Sequence, residues 1–495
     1  MIDHYFHLDL QHTRGLQEQL REALLDAILK GTFPADEPLP SCRDLGRQIG
    51  VSRNTVAVVY ESLVEKGFLQ SRPRSGYYLH DDYRDGGRSA EPAVIRHGAS
   101  IPGLVPTHAP SWSSRLRLSS QMRQGVLRPS NWRDYDYPFA YGQADTHRFP
   151  IAAWRRASRA ILEPGHSAAW LNDAVDQDDP ELIAQLRTRV LPKRGIHASA
   201  DEILVTLGSQ NALYLLAALL MGPGVRVGIE NPGFRDAWNV FELQNADVSL
   251  HAVDNEGIVL DERLAQCGYI YVTPSHQVPT GVTMSPSRRQ ALWRQVLRYD
   301  QILIEDDYEA DLDLSSHPPP ALKAADGQGR VIYLSSFSKC LAPGLRLGYL
   351  VADEELIREL RALRRLICRH APLNNQRVLA RFLAQGDYDA HLRRYRVEHA
   401  RKHEKLCQAI ERHLPDCNYA QANGAGAIWL DAPPSTSTQK LAWAASRRSV
   451  LIEPGFPNFF DAEPSDRHFR LGFTAIGMER IEPGIALLAD TLARI

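Results

Sequence analysis

Several features that would place this 495-residue chain by bulk composition are missing. No apolar run approaches the roughly 18 residues that a membrane-spanning helix needs, which argues against a membrane partner. Met1 to Asp9 is mixed and acidic, without the basic start and apolar core of a secretory signal. Net charge is only −2, with 57 basic against 59 acidic residues, so the chain does not bind nucleic acid by bulk charge. A local basic patch remains open. The six cysteines, Cys42, Cys267, Cys340, Cys368, Cys407 and Cys417, are scattered and form no C-x-x-C pair. That argues against a disulfide framework or a cysteine metal site, and the thiols read as reduced, in a cytoplasmic protein. No short internal repeat is evident. What the length does allow is two or more domains with a large core.

What is present concentrates in Ser335-Ser336-Phe337-Ser338-Lys339-Cys340-Leu341-Ala342-Pro343-Gly344-Leu345-Arg346-Leu347-Gly348-Tyr349. The run Val331 to Leu334 leads in and reads as a buried strand. It stops in small hydroxyl residues and a lysine, and a second apolar run from Leu345 carries Arg346. Ser336, Ser338, Lys339 and Arg346 at one strand end suit a phosphorylated aldehyde. Hydroxyls and a guanidinium hold phosphate, and the amine condenses with the carbonyl to a Schiff base. The lysine by itself would be no more than a solvated charge. The whole arrangement resembles the pyridoxal-phosphate lysine motif of fold-type I aminotransferases, Ser-x-Ser-Lys followed by Arg-x-Gly.

The first eighty residues read differently. Leu16, Leu20, Ala23, Leu24, Ala27 and Ile28 recur at helical spacing. Ser41, with Asp44 three residues on, caps a short helix that Gly50 closes. Ser52 caps the next, with Val56, Val59, Tyr60 and Leu63 as its core positions. Two short helices around a glycine turn make a helix-turn-helix, and the side chains opening its second helix reach base edges. Gly67 to Leu79 reads as a hairpin with a basic tip. From Arg43 to Arg74, six bases (Arg43, Arg47, Arg53, Lys66, Arg72, Arg74) outnumber three acids (Asp44, Glu61, Glu65). That excess suits phosphate contact, although a charged face on a dimerisation bundle would look similar. Leu-Pro-Ser-x-Arg-x-Leu, Val-Ser-Arg-Asn-Thr-Val, Tyr-x-x-Leu-x-x-x-Gly and Ser-Gly-Tyr-Tyr resemble the winged helix of GntR regulators. The resemblance implies that Arg43, Arg53, Asn54, Thr55 and the wing Arg72, Arg74 and Gly76 touch double-stranded DNA.

From Asp81 to about Pro129 periodicity fails, and glycine, proline and serine interrupt it. This reads as a linker whose root-mean-square reach is roughly 35–40 Å. Domains are therefore expected at 1–80, 130–495 and, as the linker, 81–129. In the long domain, runs at Ile203–Thr206, Val225–Glu230, Tyr269–Val272, Gln301–Ile304 and Val331–Leu334 alternate with helical stretches at Asn211–Leu220 and Arg288–Leu297. Such alternation predicts an α/β fold with a mostly parallel sheet and ligands at its carboxyl ends.

Those ends carry the chemistry. Gly208-Ser209-Gln210 opens a helix whose free N–H groups can meet phosphate. Phe234 can stack on an aromatic ring. Glu305-Asp306-Asp307-Tyr308 ends a strand, where a carboxylate can pair with a pyridine nitrogen. Asp306 is the choice for that role, Asp307 the alternative, and Tyr308 a donor to the ring phenolate. Arg470, flanked by apolar residues in Phe469-Arg470-Leu471, offers a carboxylate fork. It lies in a stretch, with Val450-Leu451-Ile452-Glu453-Pro454-Gly455, that resembles a small α+β carboxyl-terminal subdomain.

Together the two halves resemble the MocR/GabR subfamily of GntR regulators. That resemblance implies a pyridoxal 5′-phosphate-dependent regulator of transcription. Its implied partners are an amino-acid or amine effector, a second copy of the chain and an operator with two half-sites. In such a dimer a head can rest on its own or on the partner's large domain. Two departures stand out. Val278 replaces the asparagine of aminotransferases, leaving Gln277 or His276 to serve the ring phenolate. Leu171 replaces a tyrosine that reaches across the dimer to the phosphate. The rival readings are a working aminotransferase with a DNA-binding head and an effector domain without cofactor. No metal site is expected.

Overall fold

The computed structural model describes residues 15–34, 36–83, 112, 114–116, 129–143, 145, 148–315, 318–420, 424–460 and 466–495. The chain divides into two compact units, Met1–Leu116 and Arg117–Ile495. The linker expected at 81–129 lies mostly outside the described residues, apart from a single 3-10 turn at Asp81–Tyr83 and a few isolated positions.

In the smaller unit, α1 (Leu16–Leu29) buries Leu20, Leu24, Ala27 and Ile28, the stripe its spacing predicts. Next, α2 (Cys42–Ile49) starts at Ser41, whose hydroxyl accepts the Asp44 N–H, and ends at Gly50 in a left-handed conformation. Then α3 (Arg53–Glu65) starts at Ser52, which accepts the Thr55 N–H. Within α2 Gly46 is required, since a Cβ there would lie 2.9 Å from the carbonyl oxygen of Val51 in the turn that follows. Val56, Val59, Tyr60 and Leu63 are buried against α1 residues in one core. Each such aliphatic burial stabilises by roughly 1.5–3 kcal/mol. The wing is the antiparallel pair β1 (Leu69–Arg72) and β2 (Gly76–Leu79), with Arg72 opposite Gly76.

The larger unit is built on an eight-stranded sheet of β3 (Ile203–Thr206), β4 (Arg226–Asn231), β5 (Asp247–Asp254), β6 (Gly257–Ile258), β7 (Tyr269–Val272), β8 (Ile302–Asp306), β9 (Val331–Ser336) and β10 (Gly348–Val351). Their order across the sheet is β3-β10-β9-β8-β7-β4-β5-β6. The central run β9-β8-β7-β4-β5 is parallel. Strand β10 runs antiparallel to both β9 and β3. Alternation of side chains explains the layers. Leu204, Tyr271, Ile304, Ile332 and Leu350 enter one core, while Val205, Tyr333, Tyr349 and Val351 enter another on the opposite face. Helices Ser209–Leu220, Arg235–Leu243 and Glu354–Cys368 supply the first core, and Leu373–Ala384 the second.

A four-stranded sheet of Asn418–Tyr419, Ala427–Asp431, His468–Gly472 and Glu453–Pro454, in that order, forms the carboxyl-terminal α+β part. Its core packs against the helices Asp387–His413 and Met478–Leu492. Arg470 pairs with Trp429 on one side and Glu453 on the other. Within the apolar run from Leu345, Arg346 sits in the turn before the strand with φ 51°, and β10 begins only at Gly348.

Candidate functional site

A cavity of about 300 Å³ lies over the carboxyl ends of the parallel strands. It is lined by Ser209, Phe234, Asp306, Tyr308, Lys339 and Arg470 from the expected set, together with Tyr141, Gly142, Arg235, Asp236, Tyr271, Val278 and Asn458.

Asp306 ends β8 and is buried. Its Oδ2 accepts the Tyr271 hydroxyl at 2.9 Å, and among the described residues no hydrogen-bond donor reaches its Oδ1. Burial is the main cause that pushes its carboxyl up to about 7, and Lys339 partly opposes the rise. Asp307 belongs to the other face of the strand. Its Oδ2 accepts Arg194 Nε at 2.8 Å and the Tyr333 hydroxyl at 2.9 Å, and it does not line the cavity.

Lys339 follows β9 through Phe337 and Ser338. Its Nζ stands 4.1 Å from the Tyr141 ring centre and 5.9 Å from that of Tyr308. Gly142 (φ 72°) makes room, since a Cβ there would come within 2.6 Å of Nζ. Arg470 also meets this ring, its guanidinium carbon 3.9 Å from the Tyr141 ring centre. Arg470 is buried, and its Nη2 and Nε donate to Glu453 Oε2 at 2.7 and 3.2 Å. Glu453 Oε1 accepts the Tyr141 backbone N–H at 3.1 Å.

Gly208 and Arg346 adjoin the cavity without lining it. A Cβ on Gly208 (φ 98°) would lie 3.1 Å from Arg346 Nη2, and one on Gly348 would lie 2.7 Å from the Gly208 Cα. Ser336 pairs with Gly348 across the sheet, so Gly208, Ser336, Gly348 and Arg346 gather at the start of the helix Ser209–Leu220. Gln210 lies in that helix's first turn. A strand end, a helix start and a guanidinium on glycine backbone are together an arrangement that suits an anion.

Two expectations shift. Gln277 is turned away. Its amide nitrogen bonds the Pro232 and Val278 carbonyl oxygens, and its Oε1 accepts from Thr280. His276 is buried and off the cavity, and its carbonyl oxygen accepts the Tyr308 hydroxyl at 2.8 Å. The wall at this point is the apolar Val278. Tyr271 was missed, although strand alternation puts it on the Ile304 and Asp306 side. Arg235, next to Phe234, was missed too. It donates to the Pro457 and Phe459 carbonyl oxygens at 2.7 and 2.6 Å. Among the described residues no carboxylate pairs with it within 4 Å, and burial lowers its pKa.

In the smaller unit Arg43, Arg53, Asn54, Arg72, Arg74 and Gly76 are exposed and Thr55 is half-buried, its hydroxyl 2.9 Å from that of Ser52. Arg72 stacks on Tyr78, 4.2 Å from the ring centre, and Arg74 at the wing tip has φ 62°.

Two family models match. Residues 16–79 fit "Bacterial regulatory proteins, gntR family", and residues 137–483 fit "Aminotransferase class I and II". The HTH-type transcriptional regulator TauR of Rhodobacter capsulatus is 36% identical over 97% of this chain and 96% of its own. The probable rhizopine catabolism regulatory protein MocR of Rhizobium meliloti is 30% identical over 97% and 94%. Among solved structures, the kynurenine aminotransferase of Pyrococcus horikoshii, in complex with PMP, superposes with a TM-score of 0.70 at 27% identity. It covers 77% of this chain and 98% of its own. LysN, the α-aminoadipate aminotransferase of Thermus thermophilus, complexed with N-(5′-phosphopyridoxyl)-L-leucine, gives 0.69 at 27%, over 78% and 98%.

Proposed function

From the premise that this chain belongs to the MocR-type GntR regulators, a helix-turn-helix joined to a fold-type I aminotransferase domain, we propose that it senses an amino compound through pyridoxal phosphate held at Lys339 and converts that into a change at its operator. One observation carries the reading. The buried Asp306 Oδ1, with no donor among the described residues, lines the same cavity as Lys339 and Arg470. A buried carboxylate oxygen left unmet is costly, and a protonated pyridine nitrogen is the donor that would satisfy it.

The rest of the site fits the group. Lys339 Nζ is the attachment atom, Phe234 a ring-stacking face, and Gly208, Ser209, Gln210, Ser336, Ser338 and Arg346 the phosphate cradle. Tyr308 lines the wall where a donor to the ring oxygen belongs. When bound, the cofactor supplies an aldehyde that captures amines and a ring that withdraws electrons. Arg470 holds the effector's acid group, and Arg235 offers a second guanidinium in the lining. Arg43, Arg53, Asn54, Thr55, Arg72, Arg74 and Gly76 contact DNA, the exposed bases supplying the phosphate contacts. The working form is a cytoplasmic homodimer on two half-sites, with residues 1–80 as head, 81–129 as linker and 130–495 as sensor.

The test couples two readouts. A panel of amines and amino acids is screened for changes in cofactor absorbance, and active compounds are then assayed for operator affinity and footprint. The expected shift is about fivefold or more, the usual range of coupling between sites. Lys339→Ala should keep DNA binding and lose the response. Full spectral conversion with no change in affinity, footprint or transcription overturns the sensor reading. Steady release of keto acid from an amino donor would then support an enzyme.

A further inference from the structure

The guanidinium that faces the effector is not a free cation. Arg470 donates both Nη2 and Nε to one oxygen of Glu453, and both side chains are buried. Glu453 itself does not line the cavity, while Arg470 does. The pair therefore stands one behind the other as seen from the effector. Glu453 occupies the Nε–Nη2 edge, so the Nη1–Nη2 edge is the fork left to an incoming carboxylate. That carboxylate would meet a guanidinium already neutralised from behind, in a setting where burial leaves the repulsion between the two acids poorly screened.

Glu453 does more than neutralise. Its other oxygen accepts the Tyr141 N–H, and the Tyr141 ring is in contact with both Arg470 and Lys339. The same carboxylate thus fixes the arginine, the ring stacked on it and the loop whose Gly142 lies against the lysine amine.

Resting on the sensor reading above, we propose that Glu453 is a specificity-determining residue. It tempers the attraction of Arg470 for acid groups, so the pocket weighs effectors by charge and gives uncharged-tail amines a standing they would lack against a bare arginine. The reacting step is untouched by this. Glu453 acts only through Arg470 and Tyr141.

The experiment uses the full-length, cofactor-loaded protein and two probes, L-alanine and propylamine, which differ in bearing or lacking a carboxylate. Apparent affinities come from the cofactor's absorbance. Glu453→Gln should raise the ratio of alanine affinity to propylamine affinity by about tenfold or more, since close buried charges couple at least that strongly. A merely structural role for Glu453 moves both affinities together and leaves the ratio alone, which would overturn the proposal, as would a fall in the ratio. Should the Gln variant fail to fold, Glu453→Asp keeps the charge but draws it back by one methylene. The ratio should then rise roughly threefold, because Coulomb attraction weakens with distance, and an unchanged ratio counts equally against the idea. If neither probe, nor any amine in the wider screen, alters the parent's spectrum, the sensor reading itself falls first.

Discussion

Replacing Asp306 by asparagine should shift the cofactor-free and the cofactor-loaded protein in opposite directions. The carboxyl is pushed from 3.8 up to about 7, first by burial, then by Asp307, against the opposing Tyr271 hydroxyl and Lys339 amine. The folded value lies above the unfolded one, so the native state binds this proton more tightly than the unfolded chain does. Its contribution is complete below about pH 4 and is lost as pH rises through about 7. A gap of roughly three pH units, at 1.36 kcal/mol each, is on the order of 4 kcal/mol. Asparagine removes that loss and still accepts from Tyr271. Its amide nitrogen is left buried without an acceptor, costing about 1–3 kcal/mol. The cofactor-free variant should therefore be about 1–3 kcal/mol more stable than the parent at pH 8, and no more stable at pH 4.

The loaded protein should show the reverse. Asparagine cannot stabilise a protonated ring nitrogen, and truncating a desolvated charge pair costs about 2–5 kcal/mol. Cofactor affinity should fall by at least about tenfold. Urea denaturation of the stripped protein at pH 4 and pH 8, followed by far-ultraviolet circular dichroism, measures the first effect. Fluorescence titration with pyridoxal phosphate measures the second. Glu230, also buried and pushed up to about 7, keeps its own share of the pH slope in the variant. A stripped variant less stable than the parent at pH 8, or one that binds cofactor as tightly, would refute the assignment of Asp306.

Borohydride reduction and peptide mapping should place the cofactor on the Ser335–Leu347 segment at Lys339; label on any other lysine ends that assignment. Arg470→Ala strands the buried Glu453, so it should lower the denaturation free energy of the larger unit by about 3–5 kcal/mol and abolish discrimination between alanine and propylamine. Arg470→Met with Glu453→Gln should recover most of the stability and none of the discrimination, and equal stability of the two variants would sink the pair. Arg53→Ala should weaken operator binding, with roughly 1–3 kcal/mol of base discrimination lost, and leave the cofactor spectrum as it was. An unchanged operator preference in a gel shift would move base reading away from the start of α3.

The strands that bear the site were legible because each is a short apolar run ended by polar or glycine residues. The winged helix was legible because its caps, Ser41 and Ser52, are local signals that need no tertiary partner. Pairings across the sheet were not legible in the same way. The sequence offers two adjacent acids at the end of β8, and only the neighbouring strands tell them apart. Tyr271 on β7 turns Asp306 toward the cavity, while Arg194 and Tyr333 hold Asp307 on the other face. Strand alternation does say that the two must diverge, but not which way. Arg470 was visible as a buried arginine by its apolar flanks, whereas Glu453 at 17 residues' remove was visible only as part of a motif.

Val278 shows the limit most sharply. The residues offered in place of asparagine are engaged elsewhere, Gln277 within its own loop and His276 off the cavity. Tyr308 is the phenol on that wall, and its hydroxyl already donates to the His276 carbonyl oxygen. Burial holds the phenol's pKa well above its ordinary value, so it stays a donor. A phenol has one proton to give. If Tyr308 gives it to a cofactor oxygen, the buried His276 carbonyl loses that donor, and the loop from Thr273 to Gly281 must answer. Loading of the site and the conformation of that loop are then linked through a single hydrogen bond. An aminotransferase with asparagine before the proline has a separate donor for the ring and escapes this competition. With Val278 offering no side-chain donor, a Tyr308 that served the cofactor would tie this wall to occupancy.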